Sequence, residues 1–198
     1  MGEMTLRSPW PHLAATLAIL LPAAPSAAEH TRRTELHALD ADLRAHDSAT
    51  LVLDRWCERL HLADPPKIVA DRVTGADKPA PAKVLTALKA DTQTGIAYRR
   101  VRLRCGSSIL SEADNWYVPA RLTPEMNRTL ETSDTAFGRV VAPLGVHRRT
   151  LSHRRLRVPH PIHADSPVLE HRTVLLRADG TPISFVVETY QGTLLGAL

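Results

Sequence analysis

Residues 168–192 read VLEHRTVLLRADGTPISFVVETYQG. Two β-rich runs flank Ala178-Asp179-Gly180-Thr181-Pro182, and an Asp-Gly pair between such runs is a strong short-range hairpin signal. Ile183-Ser184-Phe185-Val186-Val187 is mostly β-branched or aromatic, the composition that suits a pleated strand. By alternation Glu188 shares one face with Val186 and Tyr190, while Phe185, Val187 and Thr189 take the other. Both faces are apolar, so a carboxylate here must be paired, protonated or in contact with a ligand, unless the strand end opens to water. Glu188 is therefore a candidate site residue on an antiparallel hairpin.

Upstream, the same pattern recurs. Gly145–Val158 reads as a basic strand, and Gly95–Leu122 as a hairpin whose first strand alternates from Arg100 to Cys105 and turns at Gly106-Ser107-Ser108. Val101, Leu103 and Cys105 form its core-like face, with Arg100, Arg102 and Arg104 opposite. Lys67–Val73 is a further strand. Helices are expected over Thr31–His46, with Leu36, Leu39 and Leu43 at helical spacing, and over Thr50–Leu62, capped from Asp47 and Ser48. Ala82–Ala90 reads as a short helix, Thr123 caps another with Pro124 at its first position, and Asp134–Arg139 turns into a last helical piece. Strands joined by hairpins with helices between them imply an α+β fold on a single antiparallel sheet. No internal repeat or domain boundary interrupts it.

At 198 residues, 43% hydrophobic and 23% charged, the chain suits one globular domain rather than a disordered or fibrous class. Arg7, the apolar run Leu13–Leu21, the break at Pro22 and the small residues Ala23–Ala28 resemble a secretory signal, with cleavage before Glu29. Residues 1–28 are read as that signal and 29–198 as the domain, periplasmic or secreted. The apolar run falls short of the roughly 20 residues that span a bilayer, so no stable membrane insertion is expected.

The net charge of +4 gathers in Arg99–Arg104 and His147–His163. A solvated strand face accounts for such runs; no helix-turn-helix spacing and few neighbouring aromatics argue against a nucleic-acid partner. Cys57 and Cys105 are the only cysteines, compatible with one disulfide in an oxidising compartment or with two buried thiols. His160-Pro161-Ile162-His163 lacks a Cys or carboxylate at ligand spacing, so no metal is expected.

Four segments in order resemble chorismate lyases and their relatives: Asp47-Ser48-Ala49-Thr50, the strand from Arg100 to Cys105, Thr135-Ala136-Phe137-Gly138, and Gly180-Thr181-Pro182-Ile183 leading to Glu188. Ala49 stands where that family has Met, Ala136 where it has Pro, and Phe137 where it has Leu. The resemblance implies a chorismate lyase-like sheet enclosing a water-poor pocket. It also implies elimination of pyruvate from chorismate, or a related cyclic carboxylate, to give 4-hydroxybenzoate without cofactor or metal. Glu188 would be catalytic, and Arg100, Ala49, Phe137 and Gly138 would bind substrate. A buried guanidinium suits a carboxylate ligand, and a desolvated Glu can orient the ring hydroxyl and move a proton. The same fold resembles the effector-binding domains of a family of bacterial repressors, so the alternative is an exported, non-catalytic carboxylate-binding protein. Either would be expected to work as a monomer.

Overall fold

A computed structural model describes residues 1–2, 26–75, 77–91, 93–158 and 161–196. Most of the expected export signal, residues 3–25, therefore lies outside the described residues, as does His160. In chain order the elements are α1 (Ala27–Ala45), α2 (Ala49–Arg59), β1 (Ile68–Arg72), α3 (Ala82–Leu88), β2 (Ala97–Cys105), β3 (Ser108–Tyr117), α4 (Pro124–Thr132), α5 (Phe137–Val141), β4 (His147–Arg155), β5 (Pro167–Leu176) and β6 (Pro182–Gln191). The strands form one antiparallel sheet in the order β1-β2-β3-β6-β5-β4.

The hairpin β5–β6 turns where Asp179-Gly180 directs it. Gly180 adopts φ +80°, and its N–H donates to the Arg177 carbonyl at 2.9 Å. A side chain at that φ would be strained. Ser48 caps α2 by accepting from the Leu51 N–H at 3.3 Å, and Thr123 caps α4 by accepting from the Met126 N–H at 3.1 Å. Helix α1 begins earlier than its leucine spacing indicates. Ser26 and Glu29 form a reciprocal capping box, so Ala27 and Ala28 are its first residues. Cleavage before Glu29 would remove that cap.

The sheet has a helical layer on each face. Leu39 and Leu43 of α1 and Val52, Leu53, Trp56 and Cys57 of α2 pack on Val101, Leu103 and Ala113 of the inner face. Val84 and Leu88 of α3 pack on Trp116, Val174 and Phe185 of the outer face. Cys57 and Cys105 form a disulfide with Cα atoms 6.1 Å apart, tying α2 to the end of β2. No described helix is long and apolar enough to cross a membrane. The expected α+β architecture on a single antiparallel sheet is the one observed.

Candidate functional site

Strand register decides what meets on the inner face. Val101, Ala113, Glu188 and His171 stand side by side across β2, β3, β6 and β5; two residues along, Arg99, Asn115, Val186 and Thr173 form the next row. With strands about 4.8 Å apart and a rise of about 3.3 Å per residue, the Cα atoms of Arg99 and Glu188 lie about 12 Å apart, with Ala113 and Asn115 between them. Helix α2 covers this patch from one side and α5 from the other. The result is a cavity of about 70 Å³, lined by both rows except His171 and by Asp47, Ala49, Phe137, Gly138 and Arg148.

Glu188 is only 4% exposed, and the Ser111 hydroxyl donates to its Oε1 at 2.7 Å. Burial pushes its carboxyl above the ordinary 4.5, against the opposing pull of Arg148, Ser111 and Tyr190. Burial also holds the Tyr190 phenol well above its ordinary range, and the charge of Glu188 adds to that. A buried carboxyl held by one hydroxyl and shielded from water keeps its proton at higher pH than a surface one, which suits proton transfer.

Ala49, Phe137 and Gly138, expected to bind substrate, line the cavity. The Phe137 ring rests against Tyr117 with centroids 5.5 Å apart. Gly138 is there for contact: a Cβ would come within 2.9 Å of the Thr50 hydroxyl and 3.4 Å of the Ser48 hydroxyl. Only glycine lets α5 close on the start of α2.

Arg100 does not belong to the site. It lies on the outer face, 41% exposed, with Nη2 donating to Glu112 Oε2 at 2.8 Å; Arg102 shares that carboxylate at 2.9 Å. The physical reason is parity. The inward set is Arg99, Val101, Leu103 and Cys105, so the guanidinium in the cavity is that of Arg99, one residue earlier. Arg99 is 3% exposed. Its Nη1 and Nη2 reach the Thr135 carbonyl only at 3.4 Å, and among the described residues Nε has no partner. Burial, with Arg72 adding to it, lowers its pKa from the usual guanidinium range. The alternation that identified the core face of β2 already contained Arg99.

Four further residues, Arg148, His171, His153 and Asp40, lay hidden in the sequence. Arg148 points inward from the basic strand β4, its Nη1 donating to the Leu43 carbonyl at 2.5 Å. His171, fully buried, sits beside Glu188 on β5 and hydrogen-bonds through Nε2 to Asp40 Oδ1 at 2.9 Å. His153 Nδ1 meets Asp40 Oδ2 at 3.1 Å. Asp40, His153 and His171 are close enough to share a metal ion. Their surroundings oppose one. Arg148 lies 3.5 Å from His171 Nδ1 and only donates, so that nitrogen accepts and Nε2 carries the proton given to Asp40. Arg44 stands 3.6 Å from the same carboxylate, so two guanidiniums flank the cluster where a dication would sit. Burial, with Arg148 next, pushes His171 down to about 4, so the ring is neutral at physiological pH.

No family model matches the chain. The uncharacterized protein y4mC of Sinorhizobium fredii (strain NBRC 101917 / NGR234) is 49% identical over 177 residues, spanning 81% of this chain and 75% of that protein. The chain belongs to the y4mC family. Among solved structures, that of PhnF from Mycobacterium smegmatis matches with a TM-score of 0.54 at 15% identity, covering 83% of this chain and 81% of PhnF. The effector domain of PhnF matches at 0.52 and 13% identity, covering 74% and 90%. YydK from Bacillus subtilis subsp. subtilis str. 168, described as a possible transcriptional regulator, matches at 0.46 and 13% identity, over 64% of this chain and 59% of that regulator's length. At these identities the likeness is one of fold: this y4mC-family chain has the chorismate lyase-like architecture shared with the PhnF effector domain.

Proposed function

We propose that the inner cavity binds a small cyclic carboxylate and eliminates pyruvate from chorismate or a close relative of it. One observation carries the reading: Glu188 and Arg99, both more than nine-tenths buried, line a single cavity from opposite ends. Arg99 takes the ring carboxylate. Its unpartnered Nε and long bonds to Thr135 leave donors free for a charge-assisted pair, stronger in this enclosure than in water. Val101, Ala113, Val186 and Leu175 wall the ring and exclude water.

Glu188 then stands by the ring carbon that bears the hydroxyl. As a carboxylate it removes the proton on that carbon, the neighbouring carbon–oxygen bond breaks, and the enolpyruvyl group departs with the bonding electrons. The ring becomes aromatic as 4-hydroxybenzoate, and the enolpyruvate takes up a proton to become pyruvate. Aromatisation supplies the driving force. The raised proton affinity of Glu188 makes it a stronger base than a surface carboxylate.

The likeness to the PhnF effector domain favours a second reading, a binding protein that holds its carboxylate through Arg99 without reaction. Purified protein incubated with chorismate separates the two. Equimolar pyruvate and 4-hydroxybenzoate support the lyase; saturable binding without product supports the binder; neither binding nor product refutes both.

A further inference from the structure

We infer that Arg148 is a second anion anchor, so that the cavity selects ligands carrying two anionic groups. The inference rests on the reading of the cavity as a carboxylate site and names a residue that neither the motifs nor the relatives assign.

Arg100 and Arg102 share Glu112, Arg104 holds Asp71, Arg139 holds Asp54, and Arg154 and Arg172 hold Glu170. Arg99 and Arg148 differ: among the described residues no carboxylate lies within ion-pair distance of either, and both line the cavity. Arg148 is held by neutral acceptors alone, the Leu43 carbonyl at 2.5 Å, the Tyr190 hydroxyl at 3.3 Å and His171 Nδ1 at 3.5 Å. Asp47 accepts from its backbone N–H at 2.9 Å, not from its guanidinium.

The charge balance follows. Two carboxyls, Glu188 and Asp47, share the cavity lining with Arg99 and Arg148, but Asp47 is 60% exposed and meets His147 and the Arg148 backbone N–H, so it is a counter-ion to neither guanidinium. Keeping a guanidinium out of water without a counter-charge is costly, and a ligand that supplies the counter-charge recovers that cost on binding. A monoanion satisfies Arg99 and leaves Arg148 with its neutral acceptors alone. A dianion satisfies both.

The topology also separates the two anchors. Arg99 enters from β2 and Arg148 from β4, with β3, β6 and β5 between them. A ligand must span the cavity to reach both, as two carboxyl groups on either side of a six-membered ring do. The Arg148 head lies beside Tyr190 and His171, near enough for its charge to be felt at Glu188. In the elimination this is the end where the enolpyruvyl group departs, so Arg148 holds the carboxylate of the leaving fragment. Neutral His171, fixed by its bond to Asp40, acts as a positioning residue that aims the guanidinium.

Calorimetric titration with benzoate and with benzene-1,3-dicarboxylate tests this, because neither probe reacts. The wild-type protein is expected to bind the dicarboxylate about 10-fold or more tighter than benzoate, the value of one charge-assisted hydrogen-bonded contact. In Arg148→Met the ratio is expected to fall toward one. Should that variant not fold, Arg148→Lys keeps a cation without the fork and is expected to lower the ratio at least threefold. Benzoate binding by the wild type with no preference for the dianion overturns this inference alone, as does a ratio unchanged in the Arg148 variants. Binding of neither probe by the wild type overturns it together with the carboxylate reading.

Discussion

Breaking the Cys57–Cys105 bond should lower the thermal midpoint by roughly 8–16 °C. The bond closes a loop of 48 residues. For that length the chain-entropy estimate gives about 4 kcal/mol of destabilisation when the link is lost. For a domain of this size each kcal/mol shifts the midpoint by about 2–4 °C. Both sulfurs lie in the main core, against Val101, Leu103 and the α2 residues, so the link also holds α2 over the cavity it roofs. The assay is circular dichroism melting of oxidised protein, of protein refolded in reductant, and of the Cys57→Ala/Cys105→Ala double variant. Superimposable melts, or two free thiols on titration of the denatured, unreduced chain, would refute the reasoning. Because such a bond persists in oxidising compartments, the result also bears on export.

Glu188→Gln should abolish turnover while raising the melting temperature. The folded-state pKa of Glu188 is raised, so wild-type stability from this group is full below the ordinary carboxyl range and is lost as pH rises through the folded value; the variant's advantage should therefore grow with pH. A wild type that melts higher than the variant at neutral pH contradicts this. His171 behaves oppositely: its pKa falls from 6.5 to about 4, so stability held above pH 6.5 is lost as pH drops toward 4, by about 3 kcal/mol. His171→Gln should flatten that acid limb in urea titrations, and an unchanged limb would show that other groups cause it. For export, a carboxy-terminal tag should recover a periplasmic chain beginning near Glu29, whereas an intact Met1 terminus in the cytosol rules it out.

The sheet was legible because its signals are local. Asp179-Gly180 specifies a turn, the runs beside it are β-branched, and Thr123-Pro124 marks a helix start, so each element could be located from a few adjacent residues. Glu188 was legible for the same reason, as an acid on an apolar strand. Arg100 was misassigned because the motif match fixed its position to within one residue, and a shift of one on a strand exchanges the two faces. The alternation of Val101, Leu103 and Cys105 pointed to Arg99, and the structure follows alternation. Arg148 and His171 left no comparable trace. Arg148 stands among His147, Arg149, Arg154 and Arg155, all of which face solvent, and its inward turn depends on Leu43, Tyr190 and His171, remote in sequence. Asp40, on a helix read as largely polar, is buried only because β4 and β5 bring His153 and His171 against it.

The central claim, that a carboxylate is held on the inner face by Arg99, is tested most directly by comparing two neighbouring substitutions. Equilibrium titration of 4-hydroxybenzoate should show wild-type affinity in Arg100→Met, which loses only an exposed pair with Glu112. In Arg99→Met the affinity should fall by about 30-fold or more, the lower end of the cost of removing one partner from a buried charged pair. Loss of binding in Arg100→Met with retention in Arg99→Met would contradict the account.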